Sequence, residues 1–145
     1  MIAAEALKTV FAESGWQFRE KQTDALLSAS LELQNYTVEF CTYTEEELFV
    51  SVSLMQLPES EEARFDLLKR AAALCALMWQ RHRINLTVTG NTLNLELCIQ
   101  TSQEDFREKI RVFLDDCDYF QENLKELAAP DSALERRSQF NPFML

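Results

Sequence analysis

The residues able to carry chemistry are few and scattered. His82 is the single histidine of the 145-residue chain, and it stands between Arg81 and Arg83 at the end of an apolar helical pattern. Cations there complement the negative end of a helix dipole, so the position reads as a capping or solvated one rather than a general base. Cys41, Cys75, Cys98 and Cys117 are widely spaced, with no C-x-x-C pair and no second type of metal ligand close by. They read as reduced thiols. Cys75 and Cys117 fall within apolar helical stripes, where a thiol behaves as a small hydrophobe. Cys41 and Cys98 fall on the more polar faces of strands, with nothing nearby to activate a thiolate.

Asp115, Asp116 and Asp118 cluster on one helical segment, with Glu122 a turn past Asp118. A metal would need these carboxylates to converge with ligands from elsewhere. Exposed helix faces are normally charged, so a solvated face is the expectation. Glu45-Glu46-Glu47 reads as acid in a turn. With only Gly15 and Gly90 in the chain, no Gly-rich phosphate loop can form, and no G-x-S-x-G elbow occurs. The expectation is a chain with no catalytic residue, no metal and no cofactor, a protein that acts by binding other proteins.

Composition points the same way. Twenty-four acidic against fourteen basic residues give a formal charge of −10, which repels phosphate backbones and anionic membranes. Nucleic acid is therefore not expected as a partner. The N-terminus lacks a signal peptide's basic stretch and apolar run. The longest apolar run, Ala71 to Trp79, falls well short of the ~20 residues that span a bilayer. A cytoplasmic protein without membrane insertion is expected. A hydrophobic fraction of 47% with ten phenylalanines argues for a real core, and 145 residues suffice for one domain.

The elements follow from periodicity. Ile2, Ala3, Ala6, Leu7, Val10 and Phe11 recur at helical spacing and Gly15 is a stop signal, so a helix is expected over Ile2 to Ser14. Leu27, Ala29, Leu31 and Leu33 alternate with Ser28, Ser30 and Glu32; Tyr36, Val38 and Phe40 alternate with Thr37, Glu39 and Cys41, and then Leu48, Val50, Val52 and Leu54 with Phe49, Ser51 and Ser53. Three short strands with tight turns predict an antiparallel meander. Leu57-Pro58 ends it. Ser60 is an N-cap candidate for a second helix running to about His82, with acid in its first turn. Leu86 to Val88 and Leu93 to Ile99 flank Gly90-Asn91, which predicts a hairpin with Gly90 at positive φ in a type II′ turn. Thr101 or Ser102 with Glu104 or Asp105 reads as a capping box. It opens a third helix with an unbroken stripe of Phe106, Ile110, Phe113, Cys117, Phe120, Leu124 and Leu127, ending near Ala129-Pro130. The fold class is α+β, in the order α-β-β-β-α-β-β-α, with an antiparallel five-stranded sheet packed by helices. Residues 1–130 make one domain. Residues 131–145 are expected to be a flexible tail, polar to Gln139 and closing with Phe140-Asn141-Pro142-Phe143-Met144-Leu145.

Two apolar surpluses carry the functional information. The second helix has one stripe of Phe65, Leu68, Ala72, Cys75 and Trp79 and another of Leu67, Ala71, Leu74 and Met78. An ordinary surface helix has a single stripe and a polar back. The second side is covered either by the hairpin or the first helix, or by another subunit; a subunit interface is the expectation. The other surplus is a sheet with helices on one face only, with Phe49, Tyr43, Trp16 and Phe18 outside the alternation. Such a face, and its free strand edges, suit a protein partner or an extended peptide.

Size, acidity, element order and the stretch Leu48-Phe49-Val50-Ser51-Val52-Ser53-Leu54-Met55-Gln56-Leu57-Pro58 resemble the class I chaperones of bacterial type III secretion, the Tir-chaperone-like family. The stretch is similar to that family's third strand, though Met55 stands where its turn has glycine. The resemblance covers about residues 2 to 127. It implies a cytoplasmic homodimer, or a heterodimer with a second chaperone. Such a dimer holds the N-terminal region of a secreted effector or translocon-associated protein secretion-competent without ATP. By position it implies a dimer interface at Leu67, Ala71, Leu74 and Met78 and effector contacts at Leu7, Phe11, Tyr36, Val38 and Phe40. Two alternatives stand beside it: a YbjN-like sensory or tethering domain, and a small enzyme with an unrecognised cleft.

Overall fold

A computed structural model describes residues 3–79, 83–100 and 106–127 of the chain. The elements are α1 (Ala3–Ser14), β1 (Leu27–Glu32), β2 (Thr37–Thr42), β3 (Glu47–Gln56), α2 (Glu61–Met78), β4 (Asn85–Thr89), β5 (Thr92–Gln100) and α3 (Phe106–Leu124). This is the expected α+β order. The capping box at 101–105, the helix-end residues Arg81 and His82, and the tail 131–145 lie outside the described residues.

Local chemistry explains the boundaries. Helix α1 ends in a Schellman motif: Trp16 N–H donates to Phe11 O at 2.9 Å and Gly15 N–H to Ala12 O at 3.3 Å. Gly15 supplies the left-handed residue this turn needs, with φ of +71°. The rings of Trp16 and Phe11 meet edge to face at 5.5 Å, the apolar contact that accompanies the motif. Helix α2 starts at Ser60, whose side chain accepts from Ala63 N–H. It ends at Met78 with Trp79 as its cap, earlier than the apolar pattern predicts. The β4–β5 hairpin turns at Gly90, with φ of +61°.

The sheet order is β1-β2-β3-β5-β4, antiparallel throughout. The central strand β3 pairs with β2 and with β5, so the hairpin docks through its second strand and β4 becomes an edge. The physical reason is burial. Strand β5 carries Leu93, Leu95 and Ile99, all buried, whereas β4 offers a half-buried Leu86 and an exposed Val88. One core cluster unites the inner face of the sheet with all three helices, through Leu7 and Phe11 of α1, Leu67 and Leu74 of α2, and Phe113 and Phe120 of α3.

The outer face follows from register. Cys41 pairs with Phe49, and Phe49 with Cys98; Glu39 pairs with Ser51, and Ser51 with Glu96. These residues alternate with buried core positions, so they point away from the helices. The two edges of the sheet differ. Beside β1, Lys21 N–H donates to Ser28 O at 2.8 Å and Glu20 bridges Ala29. Beside β4, no further strand pairs among the described residues.

Candidate protein-binding surfaces

Helix α2 shows which of its two stripes faces inward. Leu67, Ala71 and Leu74 are buried in the chain's own core, and Met78 packs against it. The assignment of Leu67, Ala71 and Leu74 to a dimer interface is therefore corrected: these side chains have no surface left to offer a second chain. The outward stripe is the other one. Phe65 is 64% exposed and Trp79 is exposed, with an exposed Ala72 and a half-buried Leu68 between them. At ~100° per residue, these four fall within an arc of about 60°. Leu77, 77% exposed, stands on the far flank of the helix.

The near flank of this stripe adjoins the edge strand. Arg64 donates to the Asn91 side chain at 2.6 Å, and the Cys75 thiol lies 3.5 Å from Ile84 O, so the helix lies alongside β4. Val88, 48% exposed, belongs to that strand and lies on the helix side of the sheet, since it pairs with the buried Leu93. Phe65, Leu68, Ala72, Trp79 and Val88 thus bring apolar surface next to an unpaired strand edge. The Arg83 guanidinium lies over the Trp79 ring at 5.2 Å, closing one end with a cation. One signal in the sequence marked this stripe as the outward one. Glu61, Glu62 and Lys69 fall on its side of the helix, and charge interleaved with apolar residues belongs to solvent.

The residues assigned to effector contact meet a similar correction. Leu7, Phe11, Val38 and Phe40 are all buried in the core, with Phe11 and Phe40 edge to face at 5.1 Å. They build the fold and offer no binding surface. Tyr36 is half-buried, and its hydroxyl donates to Leu114 O at 3.1 Å and to Asp118 at 2.9 Å. Burial first, then this bond to a carboxylate, holds its proton on well above the ordinary phenol range. Trp16 and Phe18 also join the core, packed against Phe11.

The outer sheet face keeps Phe49 at its centre, between Cys41 and Cys98, with Tyr43 (59% exposed) edge to face against it at 6.0 Å. Burial, with nearby glutamates, raises both thiols: Glu39 and Glu96 act on Cys41, and Glu47 on Cys98. Burial alone raises Cys75, and burial with Asp116 and Asp118 raises Cys117 strongly. All four are held as thiols, which are poor nucleophiles and poor metal ligands.

The acidic residues of α3 diverge. Asp115 meets Arg111 at 2.8 Å, Asp118 accepts from Tyr36, and Glu122 meets Lys125 at 2.8 Å. Asp116 departs from the expected solvated face, since it is buried. It lines a cleft of about 310 Å³ between α3 and β5, with Arg83, Lys109 and Phe113. Among the described residues, no group of three or more His, Cys, Asp or Glu side chains is placed to hold a metal ion. No helix among them is long and apolar enough to cross a membrane.

No protein-family model matches the chain, and no curated protein matches it by sequence. Solved structures do match it. The fold is similar to that of an uncharacterized protein from Methanothermobacter thermautotrophicus, with a TM-score of 0.64 at 9% identity, over 91% of this chain and 96% of that one. It is also similar to a chain of the ExsC–ExsE complex, with a TM-score of 0.63 at 15% identity, over 86% of this chain and 97% of that one.

Proposed function

We propose that this chain is an ATP-independent cytoplasmic chaperone. It binds an extended segment of a secreted effector or translocon-associated protein, keeps it competent for type III secretion, and works as a homodimer. The observation that carries this reading is a pair of apolar surfaces, the Phe49–Tyr43 patch of the outer sheet face and the outward stripe of α2 beside the open edge of β4. Exposed Phe65, Trp79 and Val88 lie next to main-chain donors and acceptors that no other strand among the described residues uses. Apolar side chains supply affinity without a nucleotide, and an unpaired edge can pair with the same edge of a second copy. The family resemblance of the sequence supports the reading, as does a fold shared with a chain from a two-protein complex.

The two surfaces divide the work. The α2–β4 surface takes the second copy, because a stripe and a strand edge can both meet their own symmetry mates across a two-fold axis. The client then needs another place, since Leu7, Phe11, Val38 and Phe40 are spent on the core. The outer sheet face, centred on Phe49 and Tyr43, provides it.

Light scattering tests the dimer. The wild-type chain is expected at twice its 16.8 kDa and the Phe65→Asp variant at one chain's mass, with unchanged circular dichroism. A monomeric wild type would remove the dimer from the proposal. Purification from the native host tests the client: a secreted protein in stoichiometric amount is expected, and its repeated absence counts against the chaperone reading.

A further inference from the structure

The outer sheet face is acidic as well as aromatic. Its outward positions include Glu32, Glu39, Glu47 and Glu96, and no strand places a cation among them. Lys21 reaches in from the segment beside β1, and both its contacts, at 3.0 and 3.1 Å, go to Glu39. The face thus offers Phe49 and Tyr43 for apolar contact, within a frame of carboxylates that favours a cationic occupant.

The chain carries a segment of matching character. Residues 136–145 read Arg-Arg-Ser-Gln-Phe-Asn-Pro-Phe-Met-Leu, two cations and no acid followed by two phenylalanines, a methionine and a leucine. This is the reverse of a chain whose net charge is −10. We propose that residues 136–145 dock on the outer sheet face of their own chain, with the two arginines against its carboxylates and Phe140 and Phe143 against Phe49 and Tyr43.

Reach permits it. Helix α3 ends at the β1–β2 turn end of the sheet, where Gln121 donates to Asn35 O at 3.3 Å and to Leu54 O at 3.0 Å. Phe49 stands five residues back along β3 from Leu54, about 17 Å. The thirteen residue steps from Leu127 to Phe140 extend to about 43 Å, enough to round an edge and reach Phe49. Docking would occupy the face until a client with stronger apolar anchors displaces the segment. That displacement rests on the chaperone function proposed above; the docking does not.

Thiols on the face report its occupancy. Cys41 and Cys98 flank Phe49, whereas Cys75 sits on α2 beside Ile84. In the full-length protein at low salt, alkylation rates are read for each cysteine by mass spectrometry. Arg136→Glu with Arg137→Glu, and separately Phe140→Ser with Phe143→Ser, are expected to quicken Cys41 and Cys98 about fivefold or more while Cys75 keeps its rate. Unchanged rates at Cys41 and Cys98 in both double variants would overturn the docking. So would an equal gain at Cys75, which marks general loosening. Protection in the wild type that grows with protein concentration overturns the assignment to the same chain and gives the site to a second copy's segment. A failed mass change in Phe65→Asp bears on the dimer and leaves these rates as they are, so the two proposals fall separately.

Discussion

Thr42 occupies a core position of β2, with its hydroxyl oxygen buried and lacking a hydrogen-bond partner among the described residues. A buried polar atom left unsatisfied loses its hydration and recovers nothing. Thr42→Val keeps the shape and the β-branched preference of the strand while deleting that atom. It is expected to raise stability by about 1 kcal/mol, read as a higher denaturant midpoint with an unchanged slope. Tyr36 is the opposite case, a half-buried hydroxyl that donates to both Leu114 O and Asp118 and so ties the β1–β2 connection to α3. Neither environment is legible from residue type. Thr42 follows Val38 and Phe40 at period two, so its inward direction is readable, but whether an acceptor waits there depends on a helix distant in sequence.

Elements were the most legible scale. The stop at Gly15, the cap at Ser60 and the turn at Gly90 all fall where local chemistry puts them, because each is satisfied by residues a few positions away. Gly15 gives this a measurable form. A Cβ built there meets nothing within 4 Å, so substitution costs only the strain of placing an L-residue at φ of +71°. Gly15→Ala is expected to lower stability by about 1 kcal/mol in a denaturant titration. A smaller loss would mean that the helix end shifts to relieve the strain. Helix α2 marks the boundary of such reasoning. Its two apolar stripes are visible in the sequence, yet their roles were exchanged: Leu67, Ala71 and Leu74 build the core while Phe65 and Trp79 face out. The Glu and Lys residues on the Phe65 side are the sequence signal that marks it as the solvent-facing one.

At the scale of the molecule, that exchange separates two substitutions that look alike in sequence. Leu74 is 4% exposed, so Leu74→Asp places a carboxylate inside the core, at a cost of several kcal/mol that unfolds the chain. Phe65→Asp changes a solvent-facing position and leaves the monomer folded. Loss of the cooperative thermal transition in the first and its retention in the second is the expected outcome; a folded Leu74→Asp would contradict the burial of α2 described above. Periodicity, caps and turns set the eight elements, the meander and the hairpin, since all of these depend on contacts close along the chain. Strand order and helix orientation depend on contacts remote in sequence. Strand β5 rather than β4 joins β3 because its leucines bury more fully, and that choice leaves Val88 and the β4 edge open beside Phe65. The surplus of apolar residues was therefore readable in the sequence. Which of them remain on the surface was decided by packing, because a stripe is buried or exposed only according to what the rest of the chain lays against it.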